Sequence, residues 1–137
     1  MDKNKRFTYS IRVFYEDTDA GGIVYYANYL KFAERARTEW LRALGINQSY
    51  FLEQKLGFVV TKVAMENKAS ARLDDLLTVT TTISNLKKAS LQFEQEIANQ
   101  ENTLLCRVSV NVACVDLNKA KPCPIPAVIL GALTSAR

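Results

Sequence analysis

Asp17 and Asp19 stand two positions apart, followed by the pair Gly21-Gly22 and by an apolar-periodic run that opens near Ala27. This spacing sets an acid just ahead of a helix start, where backbone N–H groups lack intrahelical partners. The chain contains no histidine. Its chemistry therefore runs on carboxylates, backbone dipoles, hydroxyls, thiols, lysine or arginine. Ser-His-Asp and Cys-His nucleophile systems, imidazole acid–base schemes and His-ligated metals are excluded. Asp17, Asp19 and Gly22 also fall at positions one, three and six of a calcium loop. Gly21 at position five and Asn28 at position twelve, where a bidentate glutamate belongs, count against that reading, and no metal site is expected.

A strand and a long helix must hold this acid in place. Phe7, Tyr9, Ile11, Val13 and Tyr15 alternate with mostly polar residues, the pattern of a strand with one buried face, and Ala20-Gly21-Gly22 ends it. A helix is predicted over residues 27–44, with Gly45 as its stop. Tyr29, Leu30, Ala33, Ala36, Trp40, Leu41 and Leu44 form its apolar stripe. Lys31, Glu34, Arg35, Glu39 and Arg42 face away, with Arg35 and Glu39 spaced to pair. A shorter helix is expected over 48–55, stopped by Gly57. Strands follow over 58–67, 76–86, 91–97 and 104–114, with Leu91, Phe93, Gln95 and Ile97 in alternation. Short turns make consecutive strands antiparallel. Pro122, Pro124 and Pro126 lead to an apolar tail, 128–133, that should dock. The expected fold class is α+β: an antiparallel five-stranded sheet curled around one long central helix. Its open edges favour pairing of two subunits.

With 137 residues, 48% hydrophobic and 23% charged, the chain fits one globular domain spanning 1–137. A net charge of +4 suits an anionic small molecule as well as it suits nucleic acid. No run approaches the ~20 apolar residues of a membrane helix. The polar start, residues 1–6, has no signal-peptide character, so a cytoplasmic location is expected. Cys106 and Cys114 share one face of a strand about 26 Å apart, too far to bridge, and Cys123 lies in the proline-rich tail. Buried free thiols are expected.

The segment 16–41, EDTDAGGIVYYANYLKFAERARTEWL, together with ARLDD at 71–75, resembles the hot-dog-fold acyl-CoA thioesterases. Within them it is similar to the YbgC-type branch of the 4-hydroxybenzoyl-CoA thioesterase family, from Ile11 through the proline-rich tail. The resemblance implies a hot-dog fold, a homodimer with joined sheets or a homotetramer, and hydrolysis of an acyl thioester at a site shared between subunits. It implies Asp19 as the catalytic acid and the backbone N–H of Tyr26 as the oxyanion contact. Many YbgC-like members have histidine where this chain has Tyr26, whereas the 4-hydroxybenzoyl-CoA branch carries an aromatic there. A step built on that imidazole is therefore not expected here.

These residue types suit thioester chemistry. The thiolate leaves readily, so the protein must polarise the carbonyl and supply one oxygen nucleophile. A helix N-terminus offers N–H groups and a positive dipole end, and Gly22 lets the backbone come close. Asp19 can attack directly, giving a mixed anhydride, or deprotonate water. Asp17 reads as a turn acid, and Asn28 as a cap or a site residue. Ile23, Val24, Phe58 and Val60 can line an acyl slot or simply pack. Lys87 and Lys88 can meet the coenzyme A phosphates or stand in a solvated turn. Arg35, Arg37 and Glu39 read as surface or dimer-contact residues. The expected substrate is an acyl-CoA, or an acyl carrier protein that presents the same pantetheine arm; no cofactor, nucleic acid or membrane insertion is expected. A dehydratase, which on this fold depends on histidine, is disfavoured. The remaining alternative is a non-catalytic hot-dog protein that binds acyl carriers or partner proteins.

Overall fold

The structure is a computed structural model that describes residues 5–137; the first four residues of the polar start lie outside it. The chain runs β1 (Phe7–Arg12), α1 (Asn28–Ala43), α2 (Gln48–Glu53), β2 (Leu56–Asn67), β3 (Leu76–Leu86), β4 (Ser90–Ala98), β5 (Leu104–Asp116), the two-residue β6 (Lys121–Pro122) and α3 (Ala127–Ala136). The five long strands pair antiparallel in the order β1-β3-β4-β5-β2, and β6 adds to β5. This is the expected α+β hot-dog arrangement, extended by one short strand.

The sheet curls around α1 because α1 lets it come close. Ala33 and Ala36 are fully buried mid-helix, and the Gln95 amide of β4 reaches the Ala33 carbonyl at 2.9 Å. Trp40 fills the space further along, stacked parallel on Phe7 at 6.0 Å and edge-on to Phe93 at 6.3 Å. The buried stripe is Tyr29, Phe32, Ala33, Ala36, Trp40 and Leu41. Phe32 therefore replaces Leu30, which faces outward. Steps of three and four from Tyr29 reach Phe32 and Ala33, whereas Leu30 is turned about 100° away. The surface ion pair also differs from expectation: Glu39 meets Arg42 at 2.6 Å rather than Arg35.

Gly45 stops α1 as expected, at φ +82°, with its N–H bonded to the Arg42 carbonyl. Asn47 then caps α2 by accepting the Ser49 and Tyr50 N–H groups. Gly57 is not the stop of α2. The helix ends at Glu53, Lys55 makes the left-handed turn at φ +61°, and Gly57 lies inside β2. There a Cβ would come within 3.3 Å of Leu117. The apolar tail docks as α3, burying Leu133 and Ala136.

One region stays uncovered. β2 is an edge strand, and its inward-facing Val60 and Val63 are 46% and 41% exposed because α1 does not reach them.

Candidate active site

Asp19 sits in a loop tied down at both flanks. Asp17 closes the one-turn 3-10 helix Tyr15–Asp17, its Oδ2 accepting the Phe14 N–H at 2.8 Å. The Asp17 carbonyl accepts the Tyr25 N–H at 3.1 Å and the Asn28 side-chain amide at 2.8 Å. Asp17 is thus the turn acid the sequence suggested, with Oδ2 spent on closing the turn. Asn28 is not a cap. It joins the first turn of α1 to the acid loop.

Asp19 accepts the Gly21 N–H on Oδ1 at 2.9 Å, while its carbonyl takes the Gly22 N–H at 3.0 Å and its own N–H reaches Ile23 O at 2.9 Å. Gly22 has φ +78°, a conformation that side chains disfavour. One carboxylate oxygen is therefore anchored. Oδ2 has no hydrogen-bond partner among the described residues, on an exposed side chain.

The ARLDD segment holds the same loop from the other side. Val24 N–H donates to Ala71 O at 2.9 Å, Leu73 N–H to Gly22 O at 3.3 Å, and Val13 exchanges bonds with Asp74 and Asp75. Asp75 gathers the Arg72 N–H at 2.9 Å and the Gln100 amide at 3.1 Å on its two oxygens. The buried Tyr29 hydroxyl accepts the Ala71 N–H at 2.9 Å. Burial raises the Tyr29 pKa, and that hydrogen bond pulls the other way.

At the helix start, Ala27 has no side-chain cap bond, and the Tyr26 N–H has no acceptor among the described residues. Asp19, Gly22, Ile23, Tyr26 and Asn28 thus share one loop–helix junction. Val24 belongs to the same segment but is buried core.

Lys87 and Lys88 are elsewhere in the chain. They occupy the β3–β4 turn, whereas the acid loop bonds to residues just before Leu76, and the length of β3 separates the two ends by roughly 30 Å. Phe58 and Val60 also lie toward that far end. With Leu41, Leu91, Phe93 and Leu133 they line a cavity of about 130 Å³ between α1 and β2, with Arg37 at its wall.

Arg37 is half-buried, with its guanidinium turned inward to β4. It donates to the Gln95 side chain at 3.0 Å, and the fully buried Gln95 donates in turn to Ala33 O and, at 3.0 Å, to the Thr81 hydroxyl. Burial pulls the guanidinium pKa down, and Glu34 opposes this. A glutamine in the inward register of Leu91, Phe93 and Ile97 was the available clue, because a buried amide requires partners.

Residues 13–133 match the model of the thioesterase-like superfamily. The chain belongs to this superfamily. It is 52% identical over 122 residues to the acyl-CoA thioesterase YbgC of Haemophilus influenzae, covering 88% of each. It is 49% identical over 120 residues to the acyl-CoA thioester hydrolase YbgC of Shigella flexneri, covering 88% of this chain and 90% of that one. Among solved structures, a probable thioesterase from Bartonella henselae is 36% identical with a TM-score of 0.83, covering 88% of this chain and 99% of that one. A 1,4-dihydroxy-2-naphthoyl-CoA thioesterase from Synechocystis is 25% identical with a TM-score of 0.89, covering 94% and 96%.

In this member of the thioesterase-like superfamily the ARLDD segment is a clamp on the acid loop, a role its sequence alone did not disclose. Among the described residues, no helix is long and apolar enough to cross a membrane.

Proposed function

We propose that residues 1–137 form one hot-dog thioesterase domain that hydrolyses acyl-CoA to free acid and coenzyme A, with Asp19 as nucleophile or general base. The observation that carries this reading is the divided Asp19 carboxylate: Oδ1 is held by Gly21 and Oδ2 has no partner among the described residues, in a loop that leads directly to the start of α1, where the Tyr26 N–H also lacks an acceptor. The thioester oxygen takes the Tyr26 N–H, where the helix dipole stabilises negative charge as it develops. The free Asp19 oxygen attacks the carbonyl carbon, or takes a proton from the water that does. The C–S bond breaks and coenzyme A leaves as thiolate. Water supplies the second oxygen of the acid and the proton that ends on coenzyme A.

The working unit in this reading is a homodimer joined through the free edge of β2. A two-fold axis across that edge runs the strands antiparallel, so the Asn67 end of one β2 lies beside the Leu56 end of the other. The acid loop belongs to the first end, the cavity and Lys87–Lys88 to the second. The dimer thus sets Asp19 of each chain beside the partner's acyl cavity and basic turn, which would receive the coenzyme A phosphates. A cavity near 130 Å³ is in the size class that holds a benzene ring, and so takes a short or single-ring acyl group.

The test is thiol release from a panel of acyl-CoAs of increasing chain length and one aryl-CoA, with wild type and Asp19→Asn. Hydrolysis of short or aryl thioesters that vanishes in the variant supports the reading. Tight binding of the panel by wild type without thiol release would replace it with a carrier-binding role.

A further inference from the structure

Cys114 and Cys123 face each other across the seam between β5 and the proline-rich tail. The β5–β6 register pairs Val115 with Pro122 and Asp116 with Lys121, and one step further sets Cys114 opposite Cys123. The Cys123 N–H donates to the Cys114 carbonyl at 2.9 Å, and the two Sγ atoms are 3.5 Å apart. Opposed residues of an antiparallel pair have Cα atoms about 4.5–5.5 Å apart, inside the range a disulfide spans. Bond formation requires the sulfurs to approach by about 1.5 Å, within reach of side-chain rotation. Cys106, buried toward the other end of β5, has no sulfur neighbour among the described residues and serves as the internal control.

We infer that Cys114 and Cys123 form a reversible intrachain disulfide under a peroxide oxidant, a modification site that staples α3 to the sheet. Cys123 is half-exposed and Cys114 is buried, so the peroxide meets Cys123 first. The Cys123 sulfur displaces hydroxide from the peroxide, breaking the O–O bond and leaving a sulfenic acid. Cys114 attacks that sulfur, the S–S bond forms, and the sulfenic oxygen leaves as water. One peroxide thus consumes two thiols and yields two waters, and a thiol reductant reverses the bridge. Burial, with the neighbouring sulfur, pushes the Cys114 thiol up to about 12. It therefore stays protonated and is not the first thiol to react; in the resolving step its proton leaves with the sulfenic oxygen as water.

The bridge acts on parts that line the cavity. Cys123 leads through Pro124 to Ile125, whose N–H donates to Lys88 O at 2.9 Å, and on into α3, where Leu133 forms a cavity wall. Cys114 is the β5 partner of Phe58 on another wall. Oxidation joins these two walls covalently.

The experiment treats the full chain with hydrogen peroxide and follows intact mass, thiol count under denaturing conditions and thermal unfolding. The expected product is a single chain lighter by two hydrogens, with one thiol left of three, a raised unfolding midpoint and full recovery in dithiothreitol. Peptide mapping should join Cys114 to Cys123. Cys106→Ser should leave the bridge intact, whereas Cys123→Ser and Cys114→Ala should each abolish it. Overoxidation of Cys123 with the Cys114 thiol still free, or a chain-to-chain disulfide in place of the internal one, overturns the inference. Covalent mass reads this result independently of thioester hydrolysis.

Discussion

At the Asp19 end of the sheet the loop is tied by backbone bonds on both sides: Asp17, Gly22 and Val24 all bond to neighbouring segments, while Asp19 Oδ2 and the Tyr26 N–H have no partner among the described residues. The hairpin end is the reverse. It carries an apolar cavity, two exposed lysines and a thiol pair. The first end carries an acid ahead of a helix start; the second carries the cavity, where the wall acid Glu34 accepts a hydrogen bond from the Thr38 hydroxyl. Roughly 30 Å of strand separates them within one chain. In the proposed dimer, antiparallel pairing through the bare edge of β2 brings the unlike ends of two copies together.

The most severe break of this division is Asp19→Asn. Asparagine keeps an oxygen for the Gly21 N–H, so the loop should hold and the unfolding midpoint should stay put. Loss of general-base or nucleophilic chemistry should lower kcat/KM by about 10²–10⁴-fold. An undiminished rate would move the chemistry off this end altogether. Next in size is the N–H of Tyr26. Tyr26→Phe keeps it and should retain most activity, whereas Tyr26→Pro removes it and should cost about 10²–10³ in kcat, with circular dichroism confirming that α1 persists. Equal losses in both variants would assign the role to the phenol instead.

Val63→Glu tests the edge rather than either end. The side chain is exposed in the single chain, so folding should survive, but two copies would oppose like charges near the two-fold axis. Such repulsion costs several kcal/mol, and the dimer should weaken by about 10²-fold or more, with hydrolysis falling in step. Light scattering and thiol release on the same samples check the coupling. Full activity from a monomer would dismiss the shared site.

How much of this contrast was legible in the sequence depended on which side chains decide it. Strands β3 to β5 and helix α1 follow from period alone, because each buries one face and its residues say so. The acid before Gly21-Gly22 was equally plain. The Leu30–Phe32 exchange was missed because two large apolar residues compete for one stripe, and phase is decided by what packs against it. The distance from Asp19 to Lys87 was invisible, since both lie in turns and a turn does not announce its end of the sheet. Arg37 looked like one more charge on a charged helix until Gln95 was seen beneath it. The pairing of Cys123 with Cys114 needed the path of the tail, which three prolines direct but do not specify.

The thiols provide a test at high pH. Burial raises Cys106 from the ordinary 9.0 to about 11 and Cys114 to about 12. In each case the folded state keeps a proton that the unfolded state releases. Their stabilising share is therefore complete below pH 9 and lost as pH rises through the folded values, at about 1.4 kcal/mol per pH unit per thiol. The unfolding midpoint should fall above pH 9 under reducing conditions, and Cys106→Ala should flatten that slope. An unchanged slope would mean that the buried thiol titrates as it does in the unfolded chain.

The smallest single effect is also the one that best distinguishes a shared site from two separate ones. Replacing Lys87 and Lys88 by glutamine should raise KM for acyl-CoA by about tenfold with little change in kcat, and the effect should shrink as salt rises, as for exposed charge pairs. Alone, this result would fit any basic patch that attracts coenzyme A. Mixing the double lysine variant with Asp19→Asn separates the cases. If Asp19 of one chain works with the lysines of the other, each mixed dimer contains one fully wild-type site and one doubly damaged site. With random exchange half of the dimers are mixed, so about a quarter of the wild-type sites return. At low acyl-CoA that exceeds what either variant gives alone. If both groups served the same chain's site, mixing would restore nothing beyond the average of the two. Recovery on mixing therefore requires that the acid and the basic turn come from different copies.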